Sequence, residues 1–443
     1  MNFPRFPNSL KRKGTSADRG NVLNWPPELL EGQRASRRSG SYNDSLFRRL
    51  APGLVTGASD VDPAMVLTAT VAGALFGYSL LWVAVLCIPF LLTVFGVSAR
   101  IGQETRRGLV ELLGKNYGKK IALACAGIIV LINMAMIVAD LMAVTEALSI
   151  ILDQRRIFFV AAVAFFVWYV LIFRDYHKIT HALAFLAFPL FIYVAAAILS
   201  RPPVGEVLRH AFIPSIGGSS DYVTAVVALF GSLLTPYVLV WQTSSRGEGA
   251  TRGGSISEAE HRMGAFVTTV LSLSIMISAG TVLHGTGLTD ELTTRQAALA
   301  MQPAVGSIGP VMFSIGIIGA GLVALPILVA SLCYSVSEAM GWQYGLSEHP
   351  WDAKRFYVLI SAALFVAAAV NFVHINPVTA LYWSQVLAGA FTVPILLFIL
   401  LLSNDRRVMK TVNSRWQNFW IGAAAGALCA AGLLVLWWKL RHM

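Results

Sequence analysis

The stretch Ala51–Phe76, APGLVTGASDVDPAMVLTATVAGALF, decides how this chain is read. It is apolar and long enough to cross a bilayer, yet Asp60, Asp62 and Pro63 sit in its middle. A carboxylate at that depth costs about 2.5–3.5 kcal/mol on insertion scales, so it is rarely present without a task. Proline there removes a backbone donor and clashes with the carbonyl one turn earlier. The helix is therefore expected to open near Asp62, leaving carbonyls free beside a negative charge. A gap lined by oxygen alone suits a cation.

The rest of the chain has the composition of a membrane protein. Of its 443 residues 56% are hydrophobic and 13% charged, against about 25% charged in soluble domains. Eleven apolar spans succeed one another at about 51–75, 80–103, 120–148, 157–175, 180–200, 222–245, 261–285, 308–338, 355–373, 378–402 and 417–438. The fold class expected is an all-α polytopic membrane protein with about 11 transmembrane helices. The net charge of +11 does not argue for nucleic acid. The basic residues lie in short loops, where they set topology and meet anionic lipid headgroups. Membrane lipid is therefore an expected partner and nucleic acid is not. Cys87, Cys125, Cys333 and Cys429 stand singly in different spans, without zinc or redox spacing. No GxxxxGK[ST], HExxH or TVGYG motif occurs, which argues against direct ATP drive, an intramembrane zinc protease and an ordinary potassium channel. Neither enzymatic activity nor a resident cofactor is expected.

Residues 1–47 are polar and basic, without helical period or the apolar segment of a secretory signal, and are expected to form a disordered cytoplasmic tail. The transporter domain is expected over 48–443. Counted with the N-terminus inside, 27 of the 34 Lys and Arg fall on the inner side, and without residues 1–49 the bias is still 17 against 7. This bias implies a cytoplasmic N-terminus and an outer C-terminus, with a bacterial plasma membrane as the expected location.

A second broken helix gives the first one a counterpart. The sixth span reads YVTAVVALFGSLLTPYVLVWQTSS (222–245), with Thr235-Pro236 at its middle. If the first five spans form one unit, the sixth opens the next, and five being odd, the second unit is inverted. Repeat one is then about 51–200, repeat two about 222–402, and the helix at 417–438 is extra. Paired interrupted helices at matching positions of two halves point to a transport site near the midplane.

The residues around both breaks resemble a known family. DPAMVLTATVAGALFGYSLLW (62–82) is similar to the first-helix region of the Nramp divalent-metal transporters, whose motif there is Asp-Pro-Gly-Asn. SNDRRVMK (403–410) resembles the segment after that family's tenth helix, and TPYVLVWQTS (235–244) takes the place of its Met-Pro-His-Asn motif. The resemblance covers about 50–440. It implies a LeuT-like fold with a five-plus-five inverted repeat, helices one and six broken, and import of a divalent metal, coupled to protons in many members.

The departures change the ligand set that the resemblance implies. Asp62 and Pro63 are kept, but Ala64 replaces Gly and Met65 replaces the metal-binding Asn. Thr235, Tyr237 and Val238 replace the Met, His and Asn around Pro236. Asp140 matches an acid on the family's proton route, whereas Ala143 stands where a Glu is expected, so proton coupling is expected to be weak or absent. This pattern resembles a divergent branch that includes magnesium carriers.

Metal ligands are accordingly sought at Asp62, Met65, Thr235 and Gln385, with the last implied by the family's tenth-helix Gln. Thr235 supplies a hard oxygen suited to Mg²⁺. Met65, three residues after Asp62, either offers a thioether to Mn or Fe or packs among apolar neighbours. Asp60 is either a supporting acid or a solvated one. Asp140, Glu146 and Tyr237 are candidates for the surroundings of the metal or for a proton route, although Glu146 lies six residues beyond Asp140 and so off its face. The alternative reading is a carrier of an amino acid or other organic solute on the same fold, whose carboxylate Asp62 would repel.

Overall fold

The computed structural model describes residues 61–173, 188–215, 217, 219–249, 258–286, 292–346, 348–373 and 375–441. The basic tail and residues 51–60 of the opening stretch, Asp60 among them, lie outside the described residues. All of the described residues belong to the unit that begins at Leu50.

The opening stretch becomes helix α1, Pro63–Phe76. It is followed by α2 (Leu81–Thr105), the short α3 (Leu109–Tyr117), α4 (Lys119–Leu152) and α5 (Ile157–Phe173). A 3₁₀ turn at Phe188–Phe191 leads into α6 (Ile192–Leu199), and α7 is Val204–Phe212. The sixth span is divided into α8 (Ser220–Leu233) and α9 (Pro236–Gly249), and α10 is Glu258–Val282. Two single turns, α11 (Thr294–Ala297) and α12 (Gln302–Val305), precede α13 (Gly309–Met340). The chain ends with α14 (Lys354–Val370), α15 (Pro377–Asn404) and α16 (Arg415–Arg441).

Where they are described, the eleven expected spans coincide with these helices or helix pairs; 51–60 of the first and 180–187 of the fifth lie outside the described residues. Among the described residues seven helices are long and apolar enough to cross a bilayer, eight if the bent pair α6–α7 is one span, and α1 and α5 are shorter apolar helices. Side chains such as Phe158, Phe165, Phe173, Phe365 and Leu401 are exposed on the outside of the bundle, as an apolar solvent requires.

The start of α1 and the break in the sixth span have local causes. At Pro63 the missing N–H belongs to the first turn, where it would have no partner, and Asp62 caps the helix from β-region backbone (φ −98°, ψ 163°). At the break Leu234 leaves helical geometry (φ −91°, ψ 49°) and Pro236 restarts the chain as α9. The carbonyls expected to stand free are in part bonded: Val66 N–H donates to Asp62 O at 3.3 Å and Val238 N–H to Thr235 O at 3.2 Å. The new helix turn after each proline captures them.

Packing agrees with the inverted-repeat reading. Helix α1 packs on α10 and, correspondingly, α9 packs on α2, so each broken helix lies against the second helix of the other half. Long helices α4 and α13, third in their respective halves, make the most extensive contact of all. Glycines permit three backbone crossings that position the site. A Cβ on Gly321 of α13 would run into the Val144 side chain of α4 and lie 3.2 Å from Pro63 Cγ. One on Gly231 of α8 would strike the Gln385 carbonyl of α15, and one on Gly389 the Val227 carbonyl.

Helix α7 differs from expectation, since 201–221 reads as a proline-punctuated connection. Pro202-Pro203 begins a helix instead, with Glu206 in its first turn and Arg209 and His210 in its last, favourable ends for the helix dipole. It turns away from α6 by 117° and exposes Val204, Leu208 and Phe212. An apolar stripe on a helix that leaves a span at that angle fits the membrane interface.

Candidate functional site

Asp62 is fully buried, and both of its oxygens are occupied from known directions. Oδ1 accepts the Met65 N–H at 2.6 Å and Oδ2 accepts the Tyr237 hydroxyl at 3.2 Å. The first contact is the helix cap that Asp at this position provides. The second crosses from α9, one residue past the break, and joins the two interrupted helices directly. Tyr237 is itself held on the other side, because the Ser331 hydroxyl of α13 donates to its carbonyl at 3.2 Å. Each carboxylate oxygen keeps lone-pair capacity beyond one hydrogen bond.

Asp140 approaches from α4. It is fully buried, lies within electrostatic reach of Asp62, and faces the Ala64 amide, while neither oxygen has a well-formed hydrogen bond. Among the described residues no Lys or Arg pairs with Asp62 or Asp140. Two neighbouring carboxylates without a protein cation are an arrangement that a cation or a proton has to complete.

The other expected residues divide. Thr235 is buried in the break itself, and Met65 is fully buried with its amide on Asp62. Gln385 is fully buried on α15 with neither end of its amide hydrogen-bonded, so it is not the ordinary helix–helix glue. Glu146 is half-buried further along α4, where it interacts electrostatically with Arg156 and not with Asp62 or Asp140. Among the described residues no three His, Cys, Asp or Glu come together as a closed metal site.

Sequence reasoning passed over Ser331, the residue that fixes Tyr237. Its spacing to Ser335 and Glu338 puts three polar residues on one face of an apolar span, and that was the available signal. His284, which its position near the end of the seventh span marks as an ordinary interfacial polar group, has Nδ1 3.0 Å from the Ala74 carbonyl near the end of α1.

Residues 53–438 match the family described as natural resistance-associated macrophage protein-like, or Nramp. The chain belongs to the Nramp family. Nramp proteins are membrane metal-ion transporters, not enzymes, and this chain is accordingly an integral, multi-pass membrane protein. One Nramp relative is the divalent metal cation transporter MntH of Aeromonas hydrophila, 23% identical over 393 residues, covering 86% of this chain and 92% of that one. A mutant of the Eremococcus coleocola manganese transporter superposes with a TM-score of 0.68 at 17% identity, over 88% of this chain and 87% of its own. MhsT, solved with L-phenylalanine, gives 0.54 at 14% identity over 88% and 98%. The fold is thus the LeuT-like one, and a manganese transporter and a protein solved with L-phenylalanine share it.

The Tyr237 contact can be tested apart from the rest of the candidate site. Tyr237→Phe removes only the hydroxyl, leaving Asp62 Oδ2 without its donor. Hydrogen bonds to charged groups are worth about 1.5–3 kcal/mol, so apparent cation affinity is expected to change by about tenfold or more. Isothermal titration of the purified variant with Mg²⁺ checks this, and an unchanged affinity would remove Tyr237 from the site.

Proposed function

We propose that this Nramp protein imports a hard divalent cation by alternating access, holding it between α1 and the α8–α9 break. The observation that carries the reading is Asp62: fully buried, beside Asp140, and bonded to Tyr237 from the opposite broken helix. In this reading Asp62 is the charged ligand, and Thr235 and Gln385 add neutral oxygens. Met65 fills the space that a soft donor would otherwise occupy. Asp60, two residues before the charged ligand in sequence, is a supporting acid in this reading, and Glu146, which interacts electrostatically with Arg156, takes no part in binding.

Two arguments favour Mg²⁺ over softer cations. Oxygen donors with few charges suit a small ion that keeps part of its water shell. The thioether that the resemblance expects before Pro236 is Thr235 here, which removes the preference for Mn and Fe. Proton coupling is weak in this reading, because Ala143 leaves Asp140 without a second acid one turn away. The excess of Lys and Arg puts α3 and the far ends of α9 and α13 in the cytoplasm. The two repeats, about 51–200 and 222–402, then rock about the fixed site while the helix from 415 stays peripheral.

An organic-solute carrier on the same fold is the second reading, but a carboxylate substrate would meet Asp62 and Asp140, and among the described residues no Lys or Arg pairs with either to offset them. Purified protein in liposomes is expected to accumulate Mg²⁺, with Mn²⁺ competing, and without matching internal acidification. Absence of any divalent uptake, with amino-acid uptake in its place, would overturn the reading. Acidification that tracks metal entry and disappears in Asp140→Asn would overturn the coupling.

A further inference from the structure

Glu338 is a buried carboxylate that the ion site does not use. It lies near the end of α13, only 6% exposed, and gathers donors from two other elements. Ser244, at the far end of α9 from Tyr237, donates its hydroxyl to Glu338 Oε1 at 2.6 Å. The backbone N–H groups of Val110 and Glu111 donate to Oε2 at 3.0 and 3.2 Å. Those two belong to the first turn of α3, whose N-cap is Gly108 and has no side chain to satisfy them. Glu338 therefore acts as the cap of α3 from another helix. Gly108 is what makes room, since a Cβ there would run into Glu338 Oε1.

The same contact closes one end of the bundle. Helix α9 is wedged there between α13 and α2, where a Cβ on Gly102 would lie 2.5 Å from the Thr243 carbonyl, and Gln242, Thr243 and Ser244 are buried. Tyr344, just beyond α13, donates to Glu111 Oε2 at 3.1 Å and so ties α3 a second time. A cleft of about 460 Å³ lined by Glu111, Lys115, Glu338, Trp342 and Tyr344 brings solvent up to the wall of this cluster. Helix α9 carries Tyr237 at one end and Ser244 seven residues on, so both face α13. A movement that frees Ser244 from Glu338 swings the helix that supplies Tyr237 to the ion site.

We propose that Glu338 is a positioning residue of the transport cycle: it latches α9 and α3 to α13 when the α3 end is closed, and its release opens that end. The inference rests on the alternating-access reading, yet its test needs no metal. In a background with Cys87, Cys125, Cys333 and Cys429 replaced by alanine, Thr243→Cys serves as the reporter in liposomes permeable to a polar maleimide. Glu338→Ala is expected to raise its labelling rate about tenfold, as loss of hydrogen bonds to a charged group shifts a two-state equilibrium. Gly108→Ala displaces the carboxylate without deleting a polar group and is expected to act in the same direction. Ser244→Ala should give a smaller increase. Glu338→Gln is expected to restore slow labelling, because an amide oxygen still accepts from α3 and the amide NH₂ still reaches Ser244. Equal labelling in all of these variants, each checked for monodispersity, would overturn the latch even if the protein carries Mg²⁺. Faster labelling in a protein that moves no divalent ion would leave the latch standing and overturn the substrate instead.

Discussion

Replacing Asp62 by asparagine is expected to abolish divalent-cation uptake while leaving α1 capped. The two roles of this side chain make the comparison informative. As an N-cap, Asp62 accepts from the Met65 amide, and asparagine caps a helix about as well. As a ligand in a buried site it supplies the charge, which asparagine lacks. Asp62→Asn should therefore unfold at a temperature close to that of the parent and yet transport at about one-tenth or less of its rate, since tenfold corresponds to only about 1.4 kcal/mol of lost binding. Asp62→Ala should lose transport and, in addition, about 1 kcal/mol of stability from the missing cap. The pair of measurements is uptake of Mg²⁺ into liposomes and thermal unfolding in detergent. Wild-type uptake by Asp62→Asn would reduce Asp62 to a capping residue and take the proposed site with it.

Gly231→Ala is expected to be the most damaging single-methyl change in the bundle. The added Cβ would collide with the Gln385 carbonyl and lie 2.5 Å from the Gly389 nitrogen. Both are backbone atoms in the middle of a long helix, so no side chain can turn away, and α8 and α15 must separate. Overpacking of this kind costs about 3 kcal/mol or more. Separation also shifts Gln385 relative to α8, so uptake should fall together with stability. Gly426→Ala on α16 is the control, because a Cβ there meets nothing within 4 Å. Its better helix propensity, worth up to about 1 kcal/mol, should leave it as stable as the parent or slightly more so. Equal melting temperatures for the two variants would contradict the backbone crossing.

These properties lie at different depths of the sequence. The spans are legible because a bilayer demands long apolar runs with internally satisfied backbones, and each run reads locally. The breaks are legible because a polar residue, Asp62 or Thr235, precedes the proline, whereas Pro89, Pro326 and Pro394 follow apolar residues and stay inside continuous helices. Asp62 stands out because the bilayer makes an isolated carboxylate conspicuous. Helix α7 did not stand out, since an amphipathic helix of nine residues has neither the length nor the apolarity of a span. Glu338 was hidden for the opposite reason: a single acid at the end of a span resembles an ordinary interfacial residue.

The sequence by itself determined that this is a multi-pass helical bundle with two interrupted helices and a carboxylate at the first break. Those properties depend on residues within a turn or two of each other. Only the tertiary structure decided which groups meet the carboxylates. The Tyr237 hydroxyl reaches Asp62 across 175 positions, Ser244 reaches Glu338 across 94, and the Val110 amide reaches it across 228. Periodicity assigns a side chain to a face of its own helix, but the partner on the facing helix is set by how glycine crossings such as Gly231 and Gly321 let the helices approach.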